Sequence, residues 1–214
     1  EDQVDEVELH ARQRAVDRVE DVLARQAAVV GPRPRSAADL GGDHQAVARQ
    51  PELALDVAQK AAQANSGNPA FLDNLGRAQL SAGRKKDAID TFTNVTNRQP
   101  NSAAGWYSLA WAQRVSGDMN AALKSLQKSV RLAPSYLDAR IALAGVYATL
   151  GQQDSALKET RAIQKLDPKS PTGYNLEAEL AARFKKPEAS LQALARAYQT
   201  APSADTAATY HLAL

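Results

Sequence analysis

Apolar and small side chains return along this chain every 34 residues. Leu75, Leu109 and Leu143 hold one such place, Ala88, Ala122 and Ala156 a second, and Phe92 and Leu126 a third. The polar blocks between them repeat as well. "SAGRKKDAI", "VSGDMNAAL" and "TLGQQDSAL" put Gly83, Gly117 and Gly151 in register, and Pro100, Pro134, Pro168 and Pro202 recur at the same interval. Repetition of this length is the signature of a repeat architecture, and it decides the fold before any single residue does.

Each period predicts two helices. The first covers 69–82, 103–116, 137–150 and 171–184; the second lies near 86–98, 120–132, 154–166 and 188–200. A glycine ends the first helix in three of the four, where it suits a helix C-terminus. Proline just past the second helix stops it, because it cannot continue the hydrogen-bond ladder. The recurring alanine marks a close approach of two helices, which a larger side chain would push apart. Before the first full period, "PELALDVAQKAAQANSGNP" reads as a second helix whose first is missing or degenerate, with apolar Leu53, Leu55, Val57 and Ala61. At the other end, "ADTAATYHLAL" begins another first helix and stops. The expected division is a half repeat at 51–67, full repeats at 69–102, 103–136, 137–170 and 171–204, and a truncated repeat at 205–214. Stacked units bury their faces against neighbours and normally need polar caps at the ends. Neither end reads as capped, so a piece of a longer array is expected, with self-association through the uncapped ends as a further expectation.

Residues 1–50 differ in kind. They hold seven arginines and no lysine, against nine and ten in 51–214. Val4, Val7, Ala11, Ala15, Val19 and Val22 could line one face of a charged helix, with Glu8–Arg12 and Asp21–Arg25 as supporting pairs. "GPRPRS" breaks that pattern. Three readings stay open for this stretch: an amphipathic extension packed on the array, a disordered or weakly helical tail, and wrong-frame translation of a GC-rich gene.

The repeat resembles the tetratricopeptide repeat (TPR) family. That pattern asks for a bulky residue at position 4, Leu at 7, a small residue at 8, Gly near 15, Ala at 20, a large apolar residue at 24 and Pro at 32. Leu72, Trp106 and Tyr174 stand at position 4, Gly76, Ala110, Ala144 and Ala178 at position 8, and Phe92, Leu126 and Leu194 at position 24. There are departures. Arg140 takes the bulky place of the third unit and Thr160 its position 24. The fourth unit has Glu177 for Leu and Lys185 for Gly, and "KKPEAS" sets Ala189 one place early, which predicts a looser unit. The resemblance implies an all-α fold, a right-handed superhelical solenoid of antiparallel helix pairs.

It also implies a protein-binding groove, lined by positions 2, 5, 9, 12 and 13. Trp106 and Trp111 stand five residues apart, which on a helix points them roughly 140° apart. Trp106, at position 4, is expected in the core, and Trp111, at position 9, in the groove. The expected partner-binding residues are Asp73, Asn74 and Arg77 from the first unit, and Tyr107, Trp111 and Arg114 from the second. The third adds Asp138 and Ile141, and the fourth Asn175, Glu179 and Arg183. One subclass clamps a chaperone's C-terminal carboxylate with Lys at position 5 and Asn at 9. Here those places hold Asp73 and Arg77, or Tyr107 and Trp111, so that role is disfavoured.

Composition narrows the picture further. With 44% hydrophobic residues the chain can bury a sizeable core, and a net charge of +2 gives no reason to expect nucleic acid. No apolar run is long enough to insert into a membrane. The start lacks the features of a signal peptide, so the chain is cytoplasmic or its targeting segment lies outside this sequence. His10, His44 and His211 stand far apart, there is no cysteine, and no phosphate-cradling motif occurs. No catalytic residue, metal site or cofactor is expected. The expectation is therefore a non-enzymatic scaffold that binds a protein or peptide segment. The alanine-rich texture of "AAQANSGNPAFLDNLGRAQLSAG" is similar to bacterial TPR lipoproteins of the exosortase and exopolysaccharide-export type, which implies the envelope or periplasm, although the lipid-attachment cysteine is absent. The alternative is a regulatory or substrate-recruiting segment of a larger enzyme such as a glycosyltransferase.

Overall fold

The computed structural model describes residues 51–65 and 68–202. Over these the chain forms α1 (Pro51–Ala64), α2 (Pro69–Ser81), α3 (Lys85–Arg98), α4 (Ala103–Ser116), α5 (Met119–Leu132), α6 (Leu137–Thr149), α7 (Gln153–Leu166), α8 (Thr172–Arg183) and α9 (Pro187–Thr200). The extension at 1–50, with its three readings, and the truncated repeat at 205–214 lie outside the described residues. Polar caps start several helices where the period predicts them. Asn68 accepts from the Ala70 N–H, Ser102 from that of Gly105 and Asp118 from that of Ala121. Each relieves a backbone donor that the first turn cannot satisfy.

The chain divides into two compact units, with the division inside α6, between Ala139 and Arg140. In the first unit α1 packs on α2, α2 on α3, α3 on α4 and α4 on α5, and α2 also reaches α4. Paired helices run antiparallel. Thr91 donates to the Gln79 side chain at 2.8 Å, and one period later Ser125 donates to Gln113 at 2.8 Å. Both pairs straddle their turn at matching distances, so one polar link is built twice. The core between them gathers Ala88, Phe92, Leu109 and Ala112, with Leu80, Ile89 and Trp106 packed against it. Trp106 is half-buried there, and its indole N–H donates to the Pro100 carbonyl at 2.9 Å. The first helix, α1, buries Leu55 and leaves Leu53 and Val57 exposed.

In the second unit α7 packs on α8 and α8 on α9, around Ala178, Ala182, Ala193 and Leu194. The departures from the repeat pattern find partners here. Arg140 donates to Glu159 at 2.5 Å, with the side chains 15% and 14% exposed, so the charge in the bulky place is neutralised across the α6–α7 hairpin. Thr160 is buried, and its hydroxyl is satisfied by the Ala156 carbonyl at 3.0 Å. Glu177 accepts from Gln164 at 2.8 Å.

The fourth period keeps its register. Ala189 is exposed, and Ser190 fills the small place instead, buried with its hydroxyl donating to the Ala178 carbonyl at 2.9 Å. Lys185 adopts the left-handed conformation, φ 57°, that Gly83, Gly117 and Gly151 adopt at the equivalent turns. The turn is hydrogen-bonded like the others: Lys185 N to the Ala182 carbonyl and Lys186 N to that of Ala181, as Gly117 N bonds Arg114 and Asp118 N bonds Gln113. What differs in this unit is backbone strain, since a Cβ crowds the following carbonyl in that conformation.

Candidate functional site

In the first unit the candidate residues lie on α2 and α4, with Asp138 at the start of α6. Asp73 and Arg77 stand one turn apart on α2, and Arg77 Nε donates to Asp73 Oδ2 at 2.6 Å. The other carboxylate oxygen, Asp73 Oδ1, accepts from Ser108 on α4 at 2.7 Å. One carboxylate thereby orients the guanidinium and ties the two helices together. So held, the Arg77 guanidinium lies over the Trp111 ring, 5.9 Å from its centroid. That is within the range where a cation is drawn to an indole face. Trp111 itself is half-buried, and Asn74 is exposed beside Asp73 on α2.

Tyr107 sits one turn before Trp111, but not as an open groove residue. Its side chain is only 5% exposed, with its ring tilted against Tyr136 at 5.3 Å between centroids. Tyr136 comes from the turn before α6, and a helix-face pattern carries no signal for a turn residue. Burial pushes the Tyr107 phenol up to about 12; the nearby Asp138 and Tyr136 push the same way, against Arg114 and Arg77. The same influences place Arg77, Tyr107, Arg114 and Asp138 around one locus. Asp138 is exposed and Arg114 half-buried. Among the described residues the Arg114 guanidinium has no ion pair or hydrogen bond, in contrast to Arg77.

The second unit holds the remaining candidates. Ile141, Asn175 and Glu179 are half-buried and Arg183 is exposed. Arg183 donates to Thr149 at 3.3 Å, joining α8 to the equivalent place on α6 one period earlier. Burial raises the Glu179 carboxyl, and Arg183 pulls it back.

The chemistry available in the first unit is that of recognition: an indole offering apolar area, one guanidinium oriented by a carboxylate, and a second guanidinium with no ion pair or hydrogen bond among the described residues. Among the described residues no group of three His, Cys, Asp or Glu side chains could hold a metal ion, and no helix is long and apolar enough to cross a membrane.

Two family models, both described as tetratricopeptide repeat, match residues 74–137 and 116–180, and together span half of the chain. Comparison with curated protein sequences finds no match. Among solved structures, a thermophilic TPR protein of Thermus thermophilus is 25% identical with a TM-score of 0.60, over 77% of this chain and 91% of its own. MamA (41-end) from Desulfovibrio magneticus RS-1 is 21% identical with a TM-score of 0.62, over 75% and 92%. YrrB, a TPR protein with an unusual peptide-binding site, is 22% identical with a TM-score of 0.58, over 76% and 84%. The last two are likenesses of fold.

Proposed function

This chain belongs to the tetratricopeptide repeat family, a family of protein-interaction scaffolds, and we propose that its α2–α4 face binds a segment of a partner protein. One observation carries this reading. Trp111 is half-buried, with Arg77 held over its ring by Asp73, so the indole is oriented before any partner arrives. A rigid aromatic flanked by charge is the usual centre of a binding patch, since little freedom remains to be lost on association. Asn74, Arg114 and Asp138 form the polar surround. Buried Tyr107 acts as its floor, packing beneath the face rather than meeting the partner. In the second unit Ile141, Asn175, Glu179 and Arg183 are taken as that unit's own candidate contacts. That YrrB has a peptide-binding site is in keeping with this reading, which rests on this chain's own residues.

The setting we assign is the bacterial envelope, in exopolysaccharide export, on the texture of the alanine-rich units. A recruiting segment of a larger enzyme such as a glycosyltransferase is the alternative, and a catalytic domain encoded beside this segment would favour it.

The test is a pull-down from envelope and cytosolic fractions with the wild-type chain and Trp111→Ala as baits, matched by circular dichroism. Loss of an anchor tryptophan weakens binding by about 2 kcal/mol or more, roughly thirtyfold. A protein retained by the wild type and lost by the variant is the expected result. Identical retention by both baits, or none by either, removes the assignment.

A further inference from the structure

The partner can be described more closely, on the reading that the α2–α4 face is the binding site. Its two arginines are not equivalent. Arg77 is neutralised by Asp73 at 2.6 Å, whereas the half-buried Arg114 has no ion pair or hydrogen bond for its guanidinium among the described residues. A guanidinium partly removed from water without a partner is left in an unfavourable state, and a carboxylate in bidentate contact relieves it. Trp111 lies three residues before Arg114 on α4, so the two share one face, about 5–6 Å apart at Cβ. In an extended peptide, side chains on one side recur every second residue, at roughly 6.6 Å. The two spacings lie within about 1 Å of each other.

We infer that the α2–α4 face recognises an extended peptide segment in which an acidic side chain stands two positions from an apolar one, the carboxylate pairing with Arg114 and the apolar residue lying against Trp111. The carboxylate is taken as a side chain's. Of the two arginines on this face only Arg114 is without an ion pair among the described residues, since Asp73 holds Arg77. Asp73 and the exposed Asp138 add negative charge near the same face, which disfavours segments with a continuous acidic run.

The test is selection of a phage-displayed library of random peptides, fused at their C-termini so that every variable carboxylate is a side chain. The full chain is the target, beside Trp111→Ala, Arg114→Glu and the milder Arg114→Gln, each checked for native circular dichroism. The expected winners carry Asp or Glu two positions from an apolar residue. They lose about tenfold or more in affinity against Arg114→Gln, and Arg114→Glu selects Lys or Arg at the acidic position. Winners that need Trp111 but ignore both Arg114 variants overturn the inference and leave the proposed binding face standing. An absence of any Trp111-dependent winner overturns both.

Discussion

At Gly76 this chain has exchanged a methyl group for an aromatic ring. The next period pairs Ala110 with Leu126 in the equivalent places, both fully buried. Here Phe92 fills the larger place, and a Cβ on Gly76 would stand 2.5–2.8 Å from its ring. Phe92 has no exposed area into which to turn. Gly76→Ala is therefore expected to destabilise by about 1–3 kcal/mol, as overpacking does. Gly76→Ala with Phe92→Leu restores the neighbour's arrangement and should recover much of the loss in a urea titration; a double-variant loss equal to the sum of the two single losses would show the two sites to be independent. Tyr107 carries a second residue-scale expectation. Its folded-state pKa of about 12 lies above its ordinary 10.0, so the unfolded chain releases the proton first. The corresponding stability is intact below pH 10 and lost between about 10 and 12, on the order of 2–3 kcal/mol. Tyr107→Phe should flatten that part of the stability–pH profile relative to wild type; unchanged steepness would contradict a buried neutral phenol.

At the scale of the element, four hairpin turns share one hydrogen-bonding scheme and differ in one residue. Gly83, Gly117 and Gly151 take up positive φ without a Cβ, whereas Lys185 does so at φ 57° with one. The penalty for a non-glycine residue there is about 1–2 kcal/mol, partly offset because glycine loses more freedom on folding, roughly 0.5–1 kcal/mol. Lys185→Gly is thus expected to stabilise by about 0.5–1 kcal/mol, and Gly117→Ala to destabilise by a similar amount, both read by thermal unfolding. A destabilising Lys185→Gly would mean that the lysine side chain contributes more than its backbone costs. The hairpins were legible in the sequence because glycine, proline and the small residues recur in phase. Ser190 was not, since "KKPEAS" offers an alanine one place away and only the packed helix shows which side chain is buried.

At the scale of the whole molecule, a repeat array is stabilised by each unit and its immediate neighbours rather than by one shared core. A local defect should then be felt locally. Glu159→Ala removes the carboxylate that Arg140, 15% exposed, is paired with, and removing one partner of a largely buried pair costs roughly 3 kcal/mol. Hydrogen exchange should show protection falling in α6–α9 while α2–α4 keep theirs, and Arg140→Leu with Glu159→Leu should regain most of it. A uniform loss across all helices would instead indicate a single cooperative unit.

The period, the placing of the helices to within a residue or two, the three glycine turns and the family follow from sequence alone, because these depend on local backbone preference and on phase, both carried by neighbouring residues. Tertiary structure decided which side chains meet. Asp73 and Ser108 are 35 residues apart, Arg140 and Glu159 are 19 apart, and Tyr107 meets Tyr136 from a turn. Periodicity assigns a residue to a helix face but says nothing of how deeply a neighbour covers it. Tyr107 and Trp111 share one face of α4, yet one is buried and the other half-open, because the protein packs a second tyrosine over the first and an arginine over the second.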